Sequence, residues 1–176
     1  MKKIIWTYGL IGGLISTIGY LFTIAGGTID EAAMKNGMIY GFASMIIAFS
    51  LVFIGIKSYR DKHNGGTISL GNAFLMGLYM ALITSTIYVL VWLIVLYNFQ
   101  PDFAVKYTNF QLEQMKEAGA TAKQISAQMA ENQKFIESYK NPIVVILYTY
   151  MEIFPIGLLI AIIAALILKK KPQPAL

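Results

Sequence analysis

Four apolar runs, each long enough to cross a bilayer, leave this chain few ways to fold. They lie at about residues 4–25, 37–56, 70–97 and 143–168. A hydrocarbon core of ~30 Å needs ~20 apolar residues at a rise of ~1.5 Å each. The chain is 57% hydrophobic and only 13% charged, against ~25% charged in an ordinary soluble domain. Too little polar sequence is left for a second globular domain. The expected fold class is all-α: a polytopic membrane protein with four transmembrane helices, residues 1–176 forming one membrane domain.

The net charge of +5 does not point to nucleic acid. The lysines cluster at the ends of apolar runs, where they anchor topology, rather than along one face of a soluble domain. With no cysteine, disulfides, thiolate catalysis and Cys-ligated metal sites are excluded. A single histidine, His63, sits among solvated residues and cannot build a metal centre without several partners. No cofactor, metal or catalytic residue is expected.

Lys2 and Lys3 precede the first run. A signal peptide also begins this way, but its apolar core is ~7–15 residues. The run here is longer and carries Gly9, Gly12, Gly13 and Gly19. Gly9 with Gly13, and Gly13 with Thr17, have the small-xxx-small spacing that lets a second helix approach closely. After Gly26 and Gly27, Thr28 and Glu31 form a capping box that starts the next helix. Lys57 to Ser69 reads as a compact basic loop turning at Gly65 and Gly66, with Ser69 as N-cap of the third helix. Its cations suit anionic headgroups and simple orientation equally. In the third run Gly77, Ala81, Thr84, Ser85, Tyr88 and Trp92 share one side. That small and polar stripe should face the bundle, because lipid offers hydroxyls no partners.

Residues 98–140 form the sizeable polar stretch. Pro101 and Asp102 start a helix in which Phe103, Tyr107 and Phe110 share a face. Gly119 interrupts it. Thr121 with Gln124 makes a capping box for a second helix carrying Ile125, Met129, Ile136 and Tyr139. Five lysines balance five carboxylates here, so this is a helical hairpin that caps the bundle or lies on the membrane, without a basic lipid-binding excess. Asn141 and Pro142 then cap and open the last helix. By the positive-inside rule Lys2, Lys3, Lys57, Arg60, Lys62, Lys169, Lys170 and Lys171 put both termini in the cytoplasm and the hairpin outside.

Of the nine acidic residues, Glu152 alone falls deep within an apolar run, followed by Pro155 and Gly157. About ten residues into its helix it is ~15 Å deep, where an ionised carboxylate is costly. It is therefore expected to face other helices and to meet hydroxyls, with Tyr148, Thr84, Ser85 and Tyr88 as the candidate polar site around it. Two readings follow. Glu152 is an interhelical hydrogen-bond clamp, or it is a proton or cation site in a small transporter or channel. Against the second, no internal repeat of the transporter kind is visible. Enzyme signatures (His-Glu-x-x-His, Gly-x-Ser-x-Gly, a phosphate loop) are absent. No histidine or aspartate lies inside an apolar run to pair with a nucleophile.

The stretches Gly55 to Asp61, Gly66 to Ala73, Pro101 to Phe103, Tyr139 to Pro142 and Glu152 to Gly157 resemble those of the DUF4199 family over nearly the whole chain. That resemblance implies a small bacterial protein with four helices in a Gram-negative inner membrane and the hairpin in the periplasm. It implies no activity. The expected function is that of a non-enzymatic integral inner-membrane protein. In the lipid bilayer it would assemble with or bind an envelope protein partner through residues 102–140, homo-oligomer formation included. The alternative is a small transporter or channel using Glu152.

Overall fold

The computed structural model describes residues 1–20 and 31–171, the side chains of 31–35 and 38 excepted. Among the described residues six helices follow in order: α1 (Lys2–Ser16), α2 (Glu31–His63), α3 (Leu70–Phe99), α4 (Phe103–Glu117), α5 (Ala122–Ser138) and α6 (Pro142–Leu168). Among the described residues three stretches are long and apolar enough to cross a membrane: Ile39–His63, Leu70–Phe99 and Pro142–Leu168, with mean hydropathies of 2.3, 2.2 and 2.6. The chain is a helical membrane protein. The first expected span, 4–25, runs into residues 21–30, and the Thr28 cap falls there too; both reach outside the described residues.

Local chemistry sets the helix ends. Ser69 precedes α3 in extended backbone and its hydroxyl accepts from the Asn72 amide. Asn141 does the same for Ile143, and Pro142 opens α6 where a missing N–H costs nothing. Thr121 and Gln124 form a complete capping box at the start of α5. Asp102 precedes α4 without capping it; its carboxylate instead takes Lys106 one turn on, at 3.1 Å. That lysine holds the Asp102 carboxyl below the usual carboxylate range.

One expectation is corrected. Lys57 to Ser69 is not a loop throughout: α2 continues through Lys57, Arg60 and Lys62 to His63. Lysine and arginine are good helix formers, and their charge is favourable at a helix C-terminus. The turn is confined to Asn64–Thr67, where Gly65 and Gly66 take φ of 60° and 76°, a left-handed region that glycine enters without strain.

α3 packs along α6, while α1 lies against both α3 and α2, and α2 also meets α6. Small residues permit these approaches. A Cβ on Gly9 would stand 2.9 Å from Ile83, and one on Gly77 2.8 Å from Ala161. On Gly157 it would meet Phe49 at 2.5 Å and Ala81 at 3.0 Å. Between lipid-facing helices no hydrophobic drive exists, so close packing of this kind supplies the association. The glycine-lined seams enclose a core of Met45, Phe49, Val52, Met76, Met80 and Ile153.

Two ends of the bundle differ. Ile68, just before α3, and Lys170, just after α6, exchange both backbone hydrogen bonds at 2.9 Å. Arg60 adds a bond from its guanidinium to the Leu168 carbonyl at 3.2 Å and pairs with Asp61 at 2.6 Å. α1 runs antiparallel to α2, with Gly12 beside Ala48 and Gly55 beside Tyr8, so Lys2 and Lys3 reach this end as well. At the other end α4 and α5 fold back on one another through Gly119, at φ 77°. Asn132 donates to the Thr108 carbonyl and Gln128 to the Gln111 side chain across that pair.

Candidate functional site

The inward face of α6 is a stripe at four-residue steps: Val145, Thr149, Ile153, Gly157 and Ala161 are all buried. Glu152 stands one residue, ~100° around the helix, from Ile153. Its side chain is consequently exposed on the flank of α6, and among the described residues it has no hydrogen bond or ion pair. The expectation that Glu152 faces hydroxyls of neighbouring helices is corrected on this point. α6 is apolar on every side, so the small residues Gly157 and Ala161, rather than the acid, decide which face turns inward.

The remaining candidate residues divide. Thr84 is buried on α3 and donates to the Gly9 carbonyl of α1 at 3.1 Å. Ser85, 0% exposed, has no partner for its hydroxyl among the described residues. Ser16, Thr17 and Thr149 return their hydrogens to carbonyls three or four residues back on their own helices, the usual local alternative for such side chains. Tyr88 is buried and lies within electrostatic reach of Glu152. Tyr148, 47% exposed, is one turn from Glu152 and shares its flank. So Glu152, Tyr148 and Tyr88 form one neighbourhood, while Thr84 and Ser85 belong to the seams between α3 and its neighbours.

The structure joins that neighbourhood to a feature the spacing of residues did not reveal, a continuous ladder of aromatic rings. Tyr88 meets Tyr20 with centroids 5.0 Å apart, and Tyr20 stacks on Trp92 at 5.2 Å. Trp92 meets Phe103 edge to face at 4.7 Å. Phe103 continues to Tyr107 at 5.8 Å and Tyr139 at 6.1 Å, and Phe135 meets Tyr139 at 4.7 Å. Tyr148 closes the ladder on Phe135 at 6.2 Å and Tyr139 at 6.4 Å. Rings from α3, α4, α5 and α6 thus hold the helical pair onto the bundle. Offset and edge-to-face pairs each contribute ~0.5–1.5 kcal/mol beyond the area they bury.

Tyr139, at the end of α5, records the electrostatics of the ladder. Burial pushes its phenol up to about 12; the Glu152, Tyr107 and Tyr97 charges push the same way and a hydrogen bond with Trp92 opposes them. Tyr139 of the helical pair and Glu152 on the flank of α6 are therefore neighbours. Among the described residues no three His, Cys, Asp or Glu side chains group together as metal ligands.

A family model for proteins of unknown function, DUF4199, matches residues 7–170. The chain belongs to the DUF4199 family. The match runs from α1 to Lys170, so the glycine seams, the aromatic ladder, Glu152 and the Ile68–Lys170 pairing all lie within DUF4199 sequence. No curated protein and no solved structure matches the chain.

Proposed function

We propose that this DUF4199 protein is a non-enzymatic component of a membrane assembly. It binds an envelope protein through residues 102–140 and through the contiguous flank of α6 that carries Tyr148, Met151 and Glu152. The observation that carries this reading is the position of Glu152. A carboxyl group about ten residues into an apolar helix, exposed and without a hydrogen bond or ion pair among the described residues, costs on the order of 3 kcal/mol at membrane depth if charged. A donor from a second polypeptide removes that cost. Met151 beside it is 72% exposed, so the acid has a large apolar neighbour on that flank, which favours a packing surface over a water-filled path.

In this reading the chain crosses an inner membrane four times, with both termini cytoplasmic and the α4–α5 pair outside. Support comes from the gathering of Lys57, Arg60, Lys62 and the lysines after α6 at one end, against balanced charge on the α4–α5 pair. A reporter active only outside the membrane, fused at Gly119, should give signal while a C-terminal fusion stays silent. The reverse pattern would overturn the orientation.

Purification from native membranes under mild detergent tests the assembly. A stoichiometric partner is expected with the wild type and with Glu152→Gln, which keeps the hydrogen bond, and is lost with Glu152→Leu or on deletion of residues 102–140. Recovery of the chain alone, together with proton-dependent flux in proteoliposomes that Glu152→Gln abolishes, would favour the transporter reading and end this one.

A further inference from the structure

At the end of the bundle opposite the ladder, a groove of about 310 Å³ opens between α3 and α6. Its lining is apolar: Leu70, Gly71 and Phe74 from the first turns of α3, Ile162, Ala165 and Leu166 from the last turns of α6. Gly71 contributes no side chain, and a Cβ there would find nothing within 4 Å. The space beside Gly71 is therefore open, and its lining has the polarity of a hydrocarbon chain.

Its mouth is cationic. Lys169, Lys170 and Lys171 follow directly on the α6 residues of the lining, and their side chains are exposed. The double hydrogen bond between Ile68 and Lys170 fixes the backbone of this basic segment beside the start of α3. Arg60 is already engaged, with Asp61 and with the Leu168 carbonyl. Among the described residues Lys169 and Lys171 have no ion pair, so their charge is open to a ligand near the groove.

We infer that this groove is a binding site for an anionic phospholipid, one acyl chain lying against Leu70, Gly71, Phe74 and Leu166 and the phosphate meeting Lys169 and Lys171. An apolar slot with unpaired cations adjacent in the chain, held beside α3 through Lys170, complements such a lipid in both halves of its structure, and complements a zwitterionic lipid in one half only. The inference is independent of the partner proposed above, which engages the opposite end.

Native mass spectrometry of the whole protein reconstituted in phosphatidylcholine vesicles, with and without phosphatidylglycerol, provides the test. One phosphatidylglycerol per chain should be retained in preference to phosphatidylcholine by about tenfold or more, given the attraction of two lysines for an anionic headgroup. Gly71→Leu puts a side chain into the groove at a position where a Cβ meets nothing within 4 Å and should remove the retained lipid of either kind. Lys169→Gln with Lys171→Gln should leave a lipid bound but bring the two headgroups to parity. Equal retention of both lipids by the wild type would overturn the inference, as would undiminished phosphatidylglycerol on a Gly71→Leu chain of unchanged helicity. Loss of a chain dimer on Gly71→Leu, with lipid retention unaltered, would assign the groove to a second copy instead.

Discussion

Trp92 of α3 and Phe103 of α4 meet edge to face, with ring centroids 4.7 Å apart and planes inclined at 82°. This contact bridges the membrane-spanning part of the chain and the polar helical pair, across the short connection through Gln100. Gln100 is itself buried, and its backbone N–H donates to the Val95 carbonyl. The orientation of the pair relative to α3 is therefore held by side-chain packing at least as much as by the linker.

Phe103→Ala should loosen the α4–α5 pair without unfolding the bundle. Truncating a fully buried phenylalanine costs ~3–5 kcal/mol, and a half-buried one about half of that. In a Trp6→Phe background, the emission of Trp92 should shift to the red and proteolysis near Gly119 should accelerate. Unchanged emission would show that Trp92 is screened by Tyr20 alone.

A second expectation concerns the glycine seam. Gly157→Ala places a methyl group against Phe49 and Ala81, and overpacking of this kind costs ~1–3 kcal/mol. Gly41→Ala, where a Cβ meets nothing within 4 Å, should instead be neutral or stabilise α2 by ~0.5–1 kcal/mol. Thermal stability in detergent separates the two; equal behaviour would mean that the Gly157 approach is not a tight one in the membrane.

Asn132 is buried in the middle of the α4–α5 contact and donates to the Thr108 carbonyl at 3.2 Å while accepting from Gln128. Asn132→Leu removes both bonds, and although the Thr108 carbonyl keeps its helix bond and Gln128 keeps Gln111, each lost bond costs ~0.5–1.5 kcal/mol. Faster amide exchange is expected in α4 and α5, with α3 and α6 unaffected. Exchange rising equally in all four helices would imply that the pair and the bundle unfold as one unit.

Tyr139 gives the chain a high-pH limit. Its phenol titrates at about 12 in the fold against an ordinary value near 10, because burial favours the neutral form. The unfolded chain therefore loses this proton first. The stabilisation is full below pH ~10 and is lost as pH rises through about 12. Docking of the α4–α5 pair should weaken across that window, and Tyr139→Phe should reduce the steepness of the loss. Tyrosinate absorbance followed alongside proteolysis near Gly119 measures both.

Much of the architecture was legible residue by residue. Ser69, Thr121 and Asn141 mark helix starts because their side chains bond nearby amides whatever the surroundings, and the stripe from Gly77 to Trp92 turns inward because its hydroxyls and small residues have no use in lipid. Glu152 was misjudged in direction. A carboxyl group in an apolar run suggests an inward side chain, yet α6 is apolar all round and carries no periodicity to say which face is inner; close packing at Gly157 and Ala161 decided it. The basic stretch through His63 reads as a loop by charge, but helix formers at a helix C-terminus simply extend it. The aromatic ladder joins residues from five separate stretches of sequence. No local pattern links Tyr20 to Trp92 or Phe135 to Tyr148, so only the folded arrangement reveals it.

The reciprocal bond between Ile68 and Lys170 has a mechanical meaning for the whole molecule. It clasps the start of one long helix to the finish of another, much as a rivet joins the two blades of a pair of tongs. Backbone bonds hold α3 to α6 at that end, whereas farther along the two helices are linked through side chains such as Thr86 and Tyr150, whose hydroxyls lie 2.7 Å apart. Strain applied to the α4–α5 pair reaches that clasp last, through the whole length of α3 and α6.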